Sequence, residues 1–242
     1  MKMRVNNIFY IISSGVGLSL SYFIYMAADV NQKLSLTLED GPYEVVGAIF
    51  FLLASILFFT AFFKSKTNKN IFFLLLGLLF LFAFLEEISW GQRIFNLSTP
   101  QSIKETNMQG EINIHNLKIF HGLTEDGTRK SGWILFLNMD RLFSIFWFTC
   151  CLLIPFLYKI NSQSKKYLDQ INFPIIPLSV GSFFLLNYFF ARILVHFDNM
   201  PIQRLTEVKE TNFAFLFFIV AIWFFKNYNN NFGLSHRVDN KL

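Results

Sequence analysis

Long unbroken blocks of apolar residues constrain this chain more than any other feature. A helix of about 20 apolar residues, rising about 1.5 Å per residue, matches the roughly 30 Å hydrocarbon core of a bilayer, where only helices and closed barrels pair all their backbone polar groups. Such blocks lie at residues 7–27, 45–63, 71–90, 133–158, 173–197 and 212–228. They predict an all-α polytopic membrane helix bundle of about six transmembrane helices, forming a single transmembrane domain over residues 1–242. Composition agrees, since 53% of residues are hydrophobic and only 15% are charged, outside the habit of soluble domains. The sixth block is the weakest. Its apolar run, Phe213 to Phe225, has to borrow Thr211, Asn212 and a snorkelling Lys226 to cross.

Lys2 and Arg4 ahead of the first block resemble the start of a secretion signal, but the block is longer than a signal's apolar region and Tyr25-Met26-Ala27 is a poor cleavage context. An uncleaved first span is expected. Cys150 and Cys151 are neighbours inside the fourth block, where no metal-ligand spacing or ordinary disulfide geometry is open to them. The 33 phenylalanines are expected to be lipid-facing filler.

Charge sets a direction. With these spans, eleven basic residues, among them Lys64, Lys159, Lys165 and Lys226, fall on one side against only Asp169 and Asp239, while ten basic residues and fourteen acids fall on the other. The two sides carry +9 and −4, summing to the net +5 of the chain. Loops rich in Lys and Arg stay cytoplasmic, so both termini are predicted inside and the loop 91–132 outside. The basic balance is thereby an orientation signal and calls for no nucleic acid. Within the outer loop, Ser98-Thr99-Pro100-Gln101 is a helix-start signal. Ile114, Leu117 and Phe120 recur at helical spacing, which predicts a partly helical interfacial segment, although the alternation of its first half also fits a short strand.

Ionisable residues at membrane depth are expensive and mark partners or function. Counting outward along the spans brings Glu86 and Glu87, then Asn138, Asp140 and Arg141, then Arg192 and His196 with Asp198, to one level at the outer boundary. On a helix continuing to Phe95, Glu86, Ser89 and Arg93 share a face, and Glu87 points away from it. The candidate catalytic residues are Glu86, Glu87, His115, His196 and Asp140, with Gln92, Arg93, Arg141, Arg192 and Glu111 as candidate substrate-binding residues. A divalent metal is the candidate cofactor, with His115, His121 and His196 as its ligands, because Zn²⁺ and Fe²⁺ take imidazole nitrogen and carboxylate oxygen. The competing reading makes the same charges an ion-pair network locking the helix ends. Asp40 and Pro42 form an N-cap signal for the second span. No His-Glu-x-x-His, Gly-x-Ser-x-Gly or phosphate-binding loop occurs; Gly15 and Gly17, with Ser13 and Ser19, form a small-residue packing face.

Glu-Glu-Ile-Ser-Trp-Gly-Gln-Arg at Glu86 to Arg93, followed by Gln-Gly-Glu-Ile-Asn-Ile-His-Asn at Gln109 to Asn116, resembles a block in uncharacterised bacterial multi-pass inner-membrane proteins. That resemblance implies a bacterial inner-membrane setting and brings no named activity. The Ser, Asp and three outer His also resemble in kind the zinc-dependent membrane hydrolases related to alkaline ceramidases, without their His-x-x-x-His pair.

Three functions follow as expectations. The first is a membrane-embedded hydrolase or transferase whose outer site takes a lipid or lipid-linked substrate, the arginines holding an anionic headgroup. The second is a non-enzymatic binding or assembly protein with an unknown partner protein. The third is a small transporter, against which stands a midplane nearly free of charge.

Overall fold

The computed structural model describes the chain except residues 1–2, 39, 65–68, 93, 123, 125–127, 129 and 239–242, and the side chains of 3–6, 135 and 228–238. It is an all-α helical bundle with no strand among the described residues. α1 (Met3–Ala27) is followed by α2 (Val30–Thr37), a short helix closed by a capping box. There the Asp29 carboxylate accepts the Gln32 N–H at 2.9 Å and Gln32 Oε1 accepts the Asp29 N–H at 3.0 Å. α3 (Pro42–Lys64) and α4 (Ile71–Glu87) form an antiparallel pair, α4 capped by Asn70. α5 (Gln101–Thr106) lies in the long loop. α6 (Met139–Phe148) runs through a π turn at Thr149–Leu153 into α7 (Ile154–Ile160), and α8 (Ser162–Gln170), α9 (Leu178–Leu194) and α10 (Ile202–Val238) complete the chain.

Among the described residues, four helical stretches are long and apolar enough to cross a membrane: Asn7–Ala27, Val30–Lys64, Met139–Ile160 and Ile202–Asn227. α4 and α9 are apolar too, but at 17 residues each they reach only about 25 Å. These helices mark a membrane protein.

The helix limits depart from the hydropathy blocks where polar groups or prolines intervene. α10 starts at Ile202, well ahead of its apolar run, and carries that run unbroken through Thr211, Asn212 and Lys226 to a length that can span. α9 waits until Leu178 because Pro174 and Pro177 hold the preceding backbone extended. α6 starts at Met139, where the Asn138 side chain caps the Arg141 N–H at 3.1 Å. The entry to α3 is tied by Glu44, whose carboxylate accepts the Asp40 N–H at 2.7 Å, while Asp40 sits at φ 59°.

Two ends emerge. At one, Tyr43 donates to the Ser21 carbonyl at 2.6 Å, Arg204 to the Thr37 carbonyl at 2.8 Å and Tyr25 to Asp198 at 2.5 Å. At the other, Trp223 donates to Asn7 at 3.2 Å, Asn70 to the Asn172 carbonyl at 2.7 Å, and Lys64 and Lys226 lie over Phe225 and Phe9. The first end collects Glu44, Glu86, Glu87, Asp198, Glu207 and Glu210; the second collects lysines.

Between them, α10 is the central helix. Its buried Phe213, Leu216, Phe217 and Val220 pack on Phe51, Phe58, Phe80, Trp147 and Phe184 of the surrounding helices. Eight phenylalanines are therefore core residues rather than lipid-facing filler. In a bilayer, apolar side chains gain nothing by leaving lipid, so helix association rests on packing, and paired rings add about 0.5–1.5 kcal/mol each. Phe184 meets Phe217 edge-on at 4.8 Å, and Trp147 stacks on Phe213 at 5.2 Å.

Candidate functional site

α4 ends at Glu87, and the chain then reverses through three consecutive left-handed residues, Ser89 (φ 44°), Trp90 (φ 55°) and Gly91 (φ 77°). The helical continuation to Phe95 does not form. Left-handed backbone costs a non-glycine residue about 1–3 kcal/mol and persists only where the surroundings enforce it. Here the enforcing group is Glu86. Its side chain, only 6% exposed, accepts Trp90 Nε1–H at 2.6 Å on one oxygen and the Ile114 and His115 backbone N–H groups, both at 2.7 Å, on the other. His115 Nδ1 lies 3.1 Å from that second oxygen. This explains why residues 111–117 form neither helix nor strand. Two successive backbone N–H groups that a helix or ladder would consume are turned onto one carboxylate, and only a single 3₁₀ turn, Lys118–Phe120, remains of the expected interfacial helix.

A second layer closes over the first. Ser89 donates to Glu111 at 2.5 Å, Asn113 donates to Glu111 at 3.0 Å, and Asn107 donates to Asn113 Oδ1 at 2.8 Å. Gln92 accepts the Ile112 N–H at 2.7 Å and donates to Thr99 at 2.7 Å. Asn116 donates to Gln109. The run from Glu86 and the run from Gln109, separated by fifteen residues in sequence, thus interlock as two halves of one hydrogen-bonded cap. α5 begins at Gln101, with Pro100 in the cap position and Thr99 engaged by Gln92.

Glu87 has the opposite surroundings. It makes no hydrogen bond or ion pair among the described residues, and the charges it feels most are those of Glu210, Glu44, Glu207 and Glu86. Glu207 and Glu210 sit three apart on α10, hence on one face of it, and Glu44 lies in the first turn of α3. Lys209 approaches Glu210 at 3.8 Å, a loose pair, and Arg204 is near Glu207. Carboxyls from three helices gather here at the acidic end. What relieves their mutual repulsion is positive charge, a shared proton or a cation drawn in from outside.

The remaining sequence candidates are dispersed around this group. Asp140 is exposed in the first turn of α6, within electrostatic reach of Glu210 and of His121. Burial lowers the pKa of His121, with Asp140 opposing that shift. Arg141 is half-buried beside it. Arg192 lies 5.7 Å from the Tyr188 ring centre, and His196 is exposed beyond the end of α9. Arg93 lies outside the described residues. No three His, Cys, Asp or Glu among the described residues are grouped to hold a metal ion, so His115, His121 and His196 are not assembled as a ligand set. Asp198 is engaged otherwise, accepting from Tyr25 at 2.5 Å and from Lys33 at 2.9 Å.

Glu44, Glu207 and Glu210 escaped the sequence reasoning. Hydropathy places them outside the apolar blocks, and no motif announces them. The signal for two of them is Arg204-Leu-Thr-Glu-Val-Lys-Glu, a helix-compatible run joined without a breaker to the apolar block. Compared with family models, curated proteins and solved structures, the chain matches none.

Proposed function

We propose that this protein is a six-span bacterial inner-membrane protein with its acidic end facing outward, where it performs acid–base chemistry on a lipid or lipid-linked substrate. The observation that carries this reading is Glu87, a carboxyl without a hydrogen-bond partner among the described residues, lying in the electrostatic field of Glu207 and Glu210 next to a cap that immobilises its neighbour Glu86. Carboxyls from separate helices in one another's fields provide the acid and base that hydrolysis or group transfer requires. In this reading Glu87 takes the proton of an attacking hydroxyl or water, and Glu207 or Glu210 returns one to the leaving oxygen. The acid group disfavours an anionic reacting centre and suits a neutral or cationic headgroup. The positive-inside distribution of lysines supports the orientation.

A second reading, a non-enzymatic assembly protein, is favoured by a different observation: Glu86 and Asp198 are saturated by local donors and act as structural ties.

The test is lipid mass spectrometry of membranes from a bacterial host expressing the parent, Glu87→Gln or Glu207→Gln at equal levels. A lipid change produced by the parent and lost in both variants supports the enzyme. Profiles unchanged from an empty-vector control, together with a partner protein co-purifying with parent and variants alike, support assembly.

A further inference from the structure

His115 meets Glu86 twice, and the cap needs only one of the two contacts. Its backbone N–H and that of Ile114 reach one oxygen of Glu86 at 2.7 Å each, and Trp90 Nε1–H reaches the other at 2.6 Å. Any residue but proline at position 115 would supply that backbone donor. The imidazole adds a fourth contact, Nδ1 to the same oxygen at 3.1 Å, the longest of the four and the third donor on an oxygen with two lone pairs. The ring thus adds little to the closure of the cap, but the contact fixes the ring. An ionised carboxylate only accepts hydrogen bonds, so Nδ1 carries the hydrogen, and in the uncharged imidazole Nε2 keeps the lone pair.

That lone pair is open. Nε2 makes no hydrogen bond among the described residues, and the His115 side chain is 36% exposed. Glu210, whose side chain is 39% exposed on α10, lies within electrostatic reach of the ring, as does His121. His115 Nε2 and the Glu210 carboxyl come from the long loop and from α10, and both present acceptors. A phosphate or carboxylate brings no donor to them and is repelled by Glu210, whereas a quaternary ammonium brings charge without an N–H. A primary ammonium brings both, with three donors for separate acceptors.

We infer that His115 is a positioning residue whose Nε2 accepts a hydrogen bond from the primary ammonium headgroup of a lipid, with Glu86 holding the ring in the tautomer that can do so. The inference rests on the acid–base reading for any chemistry, and it narrows that reading's neutral or cationic headgroup to one that donates.

The test is nitrogen NMR of the full-length protein, ¹⁵N-labelled in its histidine rings, at about pH 8.5, well above the ordinary histidine range. The bilayers are phosphatidylcholine alone, or phosphatidylcholine mixed with phosphatidylethanolamine or with phosphatidylglycerol. His115→Asn identifies the His115 signals by their loss. If that variant does not fold, the protein carrying His121→Gln, His196→Gln and His236→Gln, which keeps His115 as its one histidine, identifies them instead. In phosphatidylcholine the ring is expected to carry hydrogen on Nδ1 and none on Nε2. Phosphatidylethanolamine should move the Nε2 signal upfield, and phosphatidylglycerol should not. Hydrogen on Nε2 in place of Nδ1, or an Nε2 signal unmoved by phosphatidylethanolamine, overturns the inference, and an equal shift in phosphatidylglycerol overturns the choice of ammonium. The shift in a protein whose expression changes no lipid keeps the headgroup contact and removes the chemistry, so failure of the acid–base reading is told apart from failure of the inference.

Discussion

Glu86 and Glu87 are adjacent in the chain and stand in opposite electrostatic regions. The cap around Glu86 surrounds one carboxylate with an indole, two backbone N–H groups and an imidazole, and its geometry is determined by that saturation. The group around Glu87 places further carboxyls in its field, with Lys209 at 3.8 Å from Glu210 and Arg204 near Glu207 as counter-charges. A helix turns by about 100° per residue, so one step along α4 carries the chain from a region with donors in excess to one with acceptors in excess. The first region holds structure together. The second stores a demand for positive charge, which makes it the place to look for chemistry.

The largest effect is expected where a saturated carboxylate is removed. Glu86→Ala leaves the Trp90, Ile114 and His115 donors facing no acceptor, and taking one partner from a buried charged arrangement costs about 3–5 kcal/mol. A thermal melt in detergent should fall by many degrees, and limited proteolysis should open the chain within 107–117. A melt matching the parent's would remove Glu86 as the anchor of the cap.

Asp198 repeats the Glu86 arrangement at the edge of the bundle and adds a pH test. Burial alone would raise its pKa, but the hydrogen bonds from Tyr25 and Lys33 outweigh it and hold the carboxyl below the usual range. A depressed folded pKa gives stability that is present above the unfolded value, about 3.9, and is lost as pH falls through the folded one. Asp198→Asn should therefore melt lower than the parent at neutral pH, by about 2–3 kcal/mol of charge-assisted hydrogen bonding. The gap should close as pH drops below about 4. A gap independent of pH would mean that packing, not charge, carries the contact.

Gly91 tests the left-handed reversal. A methyl there would enter φ 77° backbone and meet the Phe95 ring at 2.9 Å, so Gly91→Ala should cost about 1–2 kcal/mol. Because the reversal brings Ser89 to Glu111, the same substitution should raise amide hydrogen exchange at Ile114 and His115. Unchanged exchange there would separate the turn from the cap.

The bundle was legible in the sequence because membrane helices announce themselves by length and apolarity, and Glu86 and Glu87 stood out as acids closing such a block. The two sequence runs were visible as well, but their interlocking was not. A contact between Ser89 and Glu111, or between Gln92 and the Ile112 N–H, depends on a left-handed turn for which Ser89 and Trp90 give no local signal. Helical periodicity carried past Glu87 missed the end of α4 for the same reason. Glu207 and Glu210 were hidden differently. α10 continues outward through polar residues, and hydropathy, which locates only the apolar part of a helix, does not register its charged first turns.

Glu87→Gln is the smallest change and separates the two regions most sharply. It deletes no hydrogen bond among the described residues and takes one ionisable carboxyl out of a field made by Glu44, Glu207 and Glu210. Where Glu86→Ala destabilises, Glu87→Gln should leave the melting temperature unchanged or raise it slightly, because repulsion is relieved and no donor is orphaned. The same protein should lose whatever lipid change the parent produces. A residue whose removal spares the fold and abolishes the activity is one held in place for its chemistry. If Glu87→Gln instead melts as low as Glu86→Ala, Glu87 is part of the scaffold after all, and the acid group has to be understood as one more structural tie.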